Sequence, residues 1–246
     1  MNEIVKQIKN RKSVRQYIEK DISEEVTNEI LKAAIEAPSA GNQQLYSIIK
    51  VTDQKIKDEL AILCDNQPFI AKAPLVLVFC SDYKKWYDLY DYGNCNPREL
   101  GYGDMLLSIS DTVIAAQNTV VAAESFGVGS CYIGDILENY EKVKALLKLP
   151  KNVLPITMVV YGYPTESQVR RNKPKRPSIK TIVHENTYKD LKDEELVDLV
   201  RHNIGNDTFE NWIGKFCKRK YNSKFSEEMN RSSKKYVDEF KKDDSF

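Results

Sequence analysis

The stretch from Leu106 to Phe126 constrains the fold more than any other part of this 246-residue chain. It has the length of a long helix and is apolar on most faces, with two apolar runs at 113–116 and 120–123. A helix that is apolar nearly all round must be covered on every side. In a domain of this size, we expect a central helix that is covered partly by its own core and partly by a second subunit.

Strands and helices alternate around this stretch, which predicts an α+β fold in which helices flank one central sheet as an α/β sandwich. Ser23 is expected to cap one helix, and residues 82–104, which lack a period, are expected to form a loop or mobile segment. The predicted strands are 45–52, 74–80, 130–133 and 153–163, and the predicted helices are 2–9, 24–37, 53–64, 106–126 and 138–148.

The composition changes at Pro164, and from Leu191 onward the chain is polar and helical in pattern, without a strand signal. We therefore predict a main domain at 1–190 and a helical extension at 191–246. The extension is expected to pack on the main domain or on a partner subunit.

Bulk composition excludes several classes of protein. The net charge of +1 gives no overall attraction to nucleic acid or to a membrane. The five cysteines are scattered without a CxxC pair and there are only two histidines, so neither a disulfide framework nor a metal site is expected. The N-terminus carries no signal-peptide pattern and the apolar runs, such as 74–80, are short, so we expect a cytoplasmic protein without a membrane span.

Arg11, Lys12, Ser13 and Arg15 place three cations and a hydroxyl within five residues of a segment predicted to be extended. Alternation along an extended segment sends Arg11, Ser13 and Arg15 to one side. A phosphate monoester carries up to two charges, and the guanidinium group binds two of its oxygens at once. This pattern favours a phosphate clamp, although a solvated basic strand also explains the short motif by itself.

Residues 38–44, with the sequence Pro-Ser-Ala-Gly-Asn-Gln-Gln, follow a helix stop and combine small residues with amides. Small residues such as Gly41 let a ligand approach the backbone closely. Ser39, Asn42 and Gln44 supply donors and acceptors suited to ribityl hydroxyls or to the edge of a heteroaromatic ring. An ordinary helix-ending turn is the alternative, since these are all turn residues.

Two further segments add to this picture. Gly134 ends the strand within 129–135 and can offer unobstructed backbone N–H groups to a ring that gains electron density on reduction. The basic loop 170–177 can supply a second jaw for a phosphate. A routine strand exit and a solvated or nucleic-acid-binding loop are the alternatives. Together, the cationic segment and the amide-rich loop point to flavin mononucleotide (FMN) and redox chemistry. No nucleophile–base pair or GxGxxG motif is present, so we expect no catalytic side chains and no Rossmann-type cofactor site.

The order of these pieces resembles the nitroreductase family, in particular its branch of oxygen-insensitive NAD(P)H nitroreductases and NAD(P)H:FMN oxidoreductases with a helical C-terminal extension. The resemblance covers roughly residues 1–188. The matching segments are Arg11–Tyr17, Ile22–Gln44, Gln67 with Ala71–Pro74, Ala115–Asn118 with Ala122–Gly129, Tyr132–Gly134, Lys173–Pro177 and Val183–Asn186.

The resemblance implies a homodimer with FMN at the subunit interface, and hydride transfer from NADH or NADPH to a small-molecule acceptor by a ping-pong mechanism. Nitroaromatics, quinones and free flavin are the implied acceptors. The implied FMN-binding residues are Arg11, Lys12, Ser13, Arg15, Ser39, Asn42, Gln67, Tyr132, Ile133, Gly134, Asp135, Lys173 and Lys175. Arg201 and Lys234 lie in regions where the family's extension meets NAD(P)H, and no metal is implied.

Three departures from the family pattern stand out. Lys12 replaces the usual Arg, Asp135 stands where a second Gly is common, and Lys175-Arg176 replaces Arg-Leu. An acid that points toward the ring would lower the flavin potential. A flavin-binding protein of the same fold without turnover, such as a carrier or sensor, is the alternative function.

Overall fold

The computed structural model describes residues 1–240, in which four strands form one antiparallel sheet with the order β1-β2-β4-β3. The strands are β1 Tyr46–Val51, β2 Leu75–Asp82, β3 Gly129–Ile133 and β4 Val153–Gly162. The helices in this part of the chain are α1 Glu3–Asn10, α2 Glu24–Ile35, α3 Gln54–Leu63, α4 Pro68–Ala71, α5 Lys84–Tyr92, α6 Tyr102–Ser125, α7 Tyr140–Leu147, α8 Glu166–Arg170, α9 Glu194–Ile204, α10 Phe209–Lys220 and α11 Lys224–Phe240. The predicted α+β sandwich with a helical C-terminal region is confirmed.

Local sequence signals explain where the first helices begin. The side chains of Asn2, Ser23 and Asp53 each accept a hydrogen bond from a backbone N–H in the first turn of α1, α2 and α3. Such capping satisfies donors that the helix itself leaves free. The expected cap at Ser23 is therefore confirmed.

Strand β2 is buried along its whole length because helices cover both faces of the sheet. Leu75, Leu77 and Phe79 face α2 and α6, where they pack with Ala116 and Val120. The alternate residues of β2 pack on the other face with α3, α4 and α7. A continuous apolar run is what a strand covered on both faces requires.

Helix α6 is the central helix that the sequence predicts. By length and composition α6 alone among the helices of residues 1–240 is apolar enough to cross a membrane, although the sequence favours apolar runs too short for a span. One face of α6 packs on the sheet, as a core helix does. Its exposed apolar side chains are Leu106, Leu107, Val113 and Ile114.

The structure differs from the sequence-based predictions in one helix and in the bounds of its compact units. Residues 84–92, expected within a loop, form α5, and Trp86 of this helix packs on a small core that includes Leu45 and Met105. The described residues also group into two compact units, Met1–Arg171 with 228–240, and Asn172–Glu227. These bounds differ from the predicted domains 1–190 and 191–246, whose existence as separate domains stays a prediction.

Candidate functional site

The segment with the cations, residues 11–17, lies along β3 and the end of β4. Ser13 forms a parallel bridge with Ser130, the Val14 N–H donates to the Ser130 carbonyl at 2.9 Å, and Tyr17 pairs with Pro164. The segment thus extends the sheet at the β3 edge, and its side chains alternate as in a strand.

Two glycines make this close approach possible. A Cβ on Gly129 would lie 2.5 Å from Val14 Cγ2, and a Cβ on Gly162 would lie 2.5 Å from Tyr17 Cδ1. Atoms cannot approach this closely, so any larger residue would push the segment off the sheet. Sequence analysis missed this role, although a glycine inside a strand pattern is a known sign of close backbone approach.

Arg11, Ser13 and Arg15 all act on the pKa of one group, the thiol of Cys131. Val14 is buried, and the side chains on the opposite side converge on the thiol of Cys131. Burial raises the pKa of that thiol, while Arg15, a hydrogen bond from Ser13, and Arg11 oppose the rise. This agrees with the alternation expected from the sequence.

One donor in this group has no partner. Nη1 of Arg11 is buried and makes no hydrogen bond within residues 1–240. Burial raises the pKa of the neighbouring Glu124, and Arg11 and Lys12 oppose that rise. A buried, unsatisfied guanidinium donor is costly unless an acceptor binds it. Two guanidinium groups, a hydroxyl and an unused donor are the donor set that fits a phosphate.

Lys12 points elsewhere. Its Nζ donates to the Val169 carbonyl at 2.7 Å and to the Arg171 carbonyl at 2.5 Å, which are at the end of α8. Arg171 in turn donates to the carbonyl of Ser13. The structure therefore uses Lys12 to hold the backbone near the cations, and its role as a phosphate ligand stays a prediction.

Gln67 and the turn after β3 form a second part of the candidate site. The Gln67 amide donates to Asp135 Oδ2 at 2.9 Å and to the Cys64 carbonyl at 2.8 Å. The Asp135 carboxylate is thus engaged by Gln67. No atom lies within 4 Å of the Cβ position of Gly134, so the backbone there is open.

The other residues of this turn are more buried. Ile133 belongs to the core, and the Tyr132 hydroxyl donates to Gln117 Oε1 at 3.2 Å. Burial raises the pKa of Tyr132 to about 12. Glu138 follows the turn, and burial, together with the carboxylates of Asp135, Asp65 and Glu228, raises its pKa to about 7.

The Ser39–Gln44 loop, residues 39–44, is held by a residue that sequence analysis did not single out. The Ser39 hydroxyl donates to Asp111 Oδ2 at 2.5 Å, and the N–H of Ala40 donates to Asp111 Oδ1 at 3.1 Å. Asn42 is exposed, and its Oδ1 accepts from the Gln44 amide at 2.8 Å. An ionisable residue inside an otherwise apolar helix was the signal available in the sequence.

Residues Lys173, Lys175 and Arg201 lie in the second compact unit. There a groove of about 600 Å³ is lined by Lys175, Arg176, Lys180, Arg201 and His202 together with polar and acidic side chains. Arg201 Nε donates to Asp198 at 2.7 Å. The structure thus brings Lys175 and Arg201 to one groove.

Lys234 lies on α11 in the first unit, where its Nζ pairs with Asp238 at 2.5 Å on the exposed surface. Its predicted contact with NAD(P)H stays a prediction.

The sequence is similar to a known protein family and to reductases within it. Residues 8–163 match the model of the nitroreductase family. The chain is 30% identical to "FMN reductase (NADPH)" of Bacillus subtilis (strain 168), over 100% of this chain and 99% of that protein. It is 34% identical to "Oxygen-insensitive NADPH nitroreductase" of Salmonella typhimurium, over 80% of this chain and 79% of that protein.

Among solved structures, NADPH:FMN oxidoreductase from Vibrio harveyi, complexed with NAD+, superposes with a TM-score of 0.78 at 27% identity. The match covers 94% of this chain and 98% of that chain. The likeness therefore extends through the helical C-terminal region.

Proposed function

Because the chain belongs to the nitroreductase family, we propose that this FMN-containing, NAD(P)H-dependent nitroreductase/flavin reductase passes hydride by a ping-pong mechanism to nitroaromatics, quinones, free flavin or similar acceptors. The names of its relatives, an FMN reductase and an oxygen-insensitive nitroreductase, support acceptors of this range. When bound, FMN supplies the two-electron chemistry, and the protein binds and orients it.

The observation that carries this proposal is the meeting of Arg11, Ser13 and Arg15 at Cys131, with Nη1 of Arg11 buried and unsatisfied. In our proposal these three residues bind the phosphate of FMN through charge-assisted hydrogen bonds. Lys12 stabilises the segment through the carbonyls of α8. The role of Lys173 and Lys175 at the phosphate stays a prediction from the sequence.

The ring of the flavin is assigned to the turn after β3. Gln67 is oriented by its bonds to Cys64 and Asp135, and its remaining amide oxygen can accept from the ring. The backbone N–H groups of residues 132–135 donate to the ring edge, where Gly134 leaves space. Ser39 and Asn42 contact the flavin from the Ser39–Gln44 loop.

A homodimer is part of the proposal. Leu106, Leu107, Val113 and Ile114 form an exposed apolar strip on α6, which supports a second copy of the chain as its cover. The groove lined by Lys175 and Arg201 carries cations suited to a nucleotide phosphate, which supports binding of NAD(P)H there. The cytoplasmic location stays a prediction.

An absorbance scan and steady-state kinetics test the proposal. We expect purified protein to show a flavin band that NADH or NADPH bleaches and that a nitroaromatic or quinone restores. Double-reciprocal plots at several acceptor concentrations should give parallel lines. Protein that takes up no FMN would contradict the proposal, intersecting lines would contradict the ping-pong step, and bound flavin without turnover would favour the carrier or sensor alternative.

A further inference from the structure

Asp111 is a carboxylate placed in the middle of the most apolar helix of the fold. It is only 3% exposed, and it accepts hydrogen bonds from Ser39 Oγ at 2.5 Å, Ala40 N at 3.1 Å and Leu45 N at 3.3 Å. All three donors belong to residues 39–45. A buried carboxylate is kept only where its oxygens are well satisfied, so this contact is specific to that loop.

The loop that Asp111 holds has a costly backbone conformation. Gly41, Asn42 and Gln44 have φ values of +58°, +56° and +48°. Left-handed φ values are unfavourable for residues with a Cβ and persist where surrounding contacts enforce them. Loops in such conformations cluster at functional sites, which makes the contacts that enforce them relevant to binding.

Two further hydrogen bonds close the arrangement. The Ser39 hydroxyl, which donates to Asp111, also accepts from the Gln44 N–H at 2.6 Å, so one hydroxyl joins both ends of the loop. From the other side, Nε1 of Trp86 on α5 donates to the Gln43 carbonyl at 2.8 Å. Asp111 thus fixes the base of the loop and leaves the Asn42 side chain exposed.

We propose that Asp111 is a positioning residue that holds the Ser39–Gln44 loop in the conformation that receives the flavin. This inference rests on the proposed function, since it assumes that Ser39 and Asn42 contact the flavin. An uncharged Asn at position 111 cannot accept all three hydrogen bonds, because its amide nitrogen faces donors. The loop would then leave its strained conformation, and the protein would bind FMN more weakly.

Asp82 provides a matched control. It is also buried, at 7% exposure, and it accepts from Ser47 Oγ at 2.5 Å and from Lys85 N at 3.3 Å. Its side chain makes no hydrogen bond to residues 39–44 among the contacts of residues 1–240. The backbone N–H of Asp82 donates to the Leu45 carbonyl at 3.0 Å, a bond that Asp82→Asn leaves in place. Asp82→Asn therefore removes a comparable buried carboxylate without removing a side-chain hydrogen bond to the loop.

The experiment compares Asp111→Asn and Asp82→Asn in the full chain. Amide hydrogen exchange at Ala40 and Leu45 is measured before FMN is added, and FMN affinity is then measured by fluorescence titration. We expect Asp111→Asn to speed exchange at both amides and to raise the FMN dissociation constant about tenfold, or ~1.4 kcal/mol. Asp82→Asn should leave both quantities close to those of the wild type.

Ser39→Ala removes one donor and keeps the carboxylate, so it is the milder test should Asp111→Asn fold poorly. The double variant Ser39→Ala/Asp111→Asn measures the coupling between the two residues. If Asp111 acts through Ser39, the loss of FMN affinity in the double variant is smaller than the sum of the single losses. Additive losses would contradict the inference.

The outcomes separate this inference from the proposed function. A wild type that binds no FMN contradicts the proposed function. A wild type and an Asp111→Asn variant that bind FMN equally, with both amides still protected, contradict only the role of Asp111. Equal losses in Asp111→Asn and Asp82→Asn would show a general effect of buried charge and would also overturn it.

Discussion

The cationic segment, residues 11–15, and the acidic turn, Asp135 with its neighbour Glu138, differ in charge although both lie beside β3. The first brings Arg11 and Arg15 to one thiol, with a donor of Arg11 unused. The second collects carboxylates, so that burial and the neighbouring acids raise the pKa of Glu138 to about 7. One end therefore carries cations suited to a dianion, while the other end disfavours added negative charge.

In the proposed complex, the cationic segment and the acidic turn bind different parts of FMN. The cations hold the phosphate, which keeps its charge throughout turnover. The acidic turn faces the ring that becomes electron-rich on reduction, so we expect it to keep the reduced flavin a strong reductant. Variants in each of the two regions test this difference in charge.

The largest effect is expected for Arg15→Ala, which removes one of the two guanidinium groups at Cys131. FMN binding should weaken by roughly 1.5–3 kcal/mol, the range for a hydrogen bond to a charged group. Equilibrium titration with FMN measures the loss. Arg170→Ala is the control, because that exposed guanidinium pairs with Glu166 on α8. Equal affinity of Arg15→Ala and wild type would show that the phosphate binds elsewhere.

Gly162→Ala should displace the whole segment, because the new Cβ would lie 2.5 Å from Tyr17 Cδ1 and 2.9 Å from Pro74 Cδ. Overpacking of this kind lowers the free energy of unfolding by roughly 1–3 kcal/mol. Chemical denaturation measures the change. The matched control is Gly103→Ala in α6, where an added Cβ meets no atom within 4 Å and should stabilise the helix. A stable Gly162→Ala protein would contradict the packing of Tyr17 on the sheet.

Glu138→Gln tests the acidic turn through its pH dependence. The folded-state pKa of about 7 exceeds the ordinary value of 4.5, so wild-type stability falls as pH rises from 4.5 to 7 and then levels off. Glutamine removes this penalty. Above pH 7 the variant should be more stable than wild type by about 1–2 kcal/mol, and the gap should close toward the ordinary pKa. Unfolding curves at several pH values measure it, and a pH-independent gap would be inconsistent with a buried Glu138 carboxyl.

The smallest effect is expected for Lys12→Ala. Its Nζ already donates to two carbonyls near α8, so removing it should weaken FMN binding by less than about 1 kcal/mol, the scale of one ordinary hydrogen bond. The same titration as for Arg15→Ala measures it. A loss as large as that of Arg15→Ala would make Lys12 a direct phosphate ligand.

Elements set by local chemistry could be predicted from the sequence. The cap at Ser23, the apolar helix α6 and the doubly buried strand β2 each follow from short-range patterns. The alternation that brings Arg11, Ser13 and Arg15 together also follows from an extended backbone. Helix α5 could not be predicted in this way, because its Trp86 packs on a cluster with Leu45 and Met105, which are distant in sequence.

Long-range contacts account for the other differences. Lys12 donates a hydrogen bond to the Val169 carbonyl at the end of α8, and Asp111 accepts one from Ser39. Both bonds join residues that are far apart along the chain. The need for glycine at 129 and 162 arises only once the cationic segment lies on the sheet. Such requirements depend on the assembled fold and leave only a weak local signal.

The most direct test of this account is the ratio of the dissociation constants for riboflavin and FMN in the wild type and in an Arg11→Ala/Arg15→Ala double variant. Riboflavin lacks the phosphate, so this ratio isolates the phosphate's contribution. We expect the wild type to prefer FMN by about 100-fold or more, or ~2.8 kcal/mol, and the double variant to lose most of this preference. A wild type that binds both ligands equally, or a double variant that keeps the full preference, would contradict it.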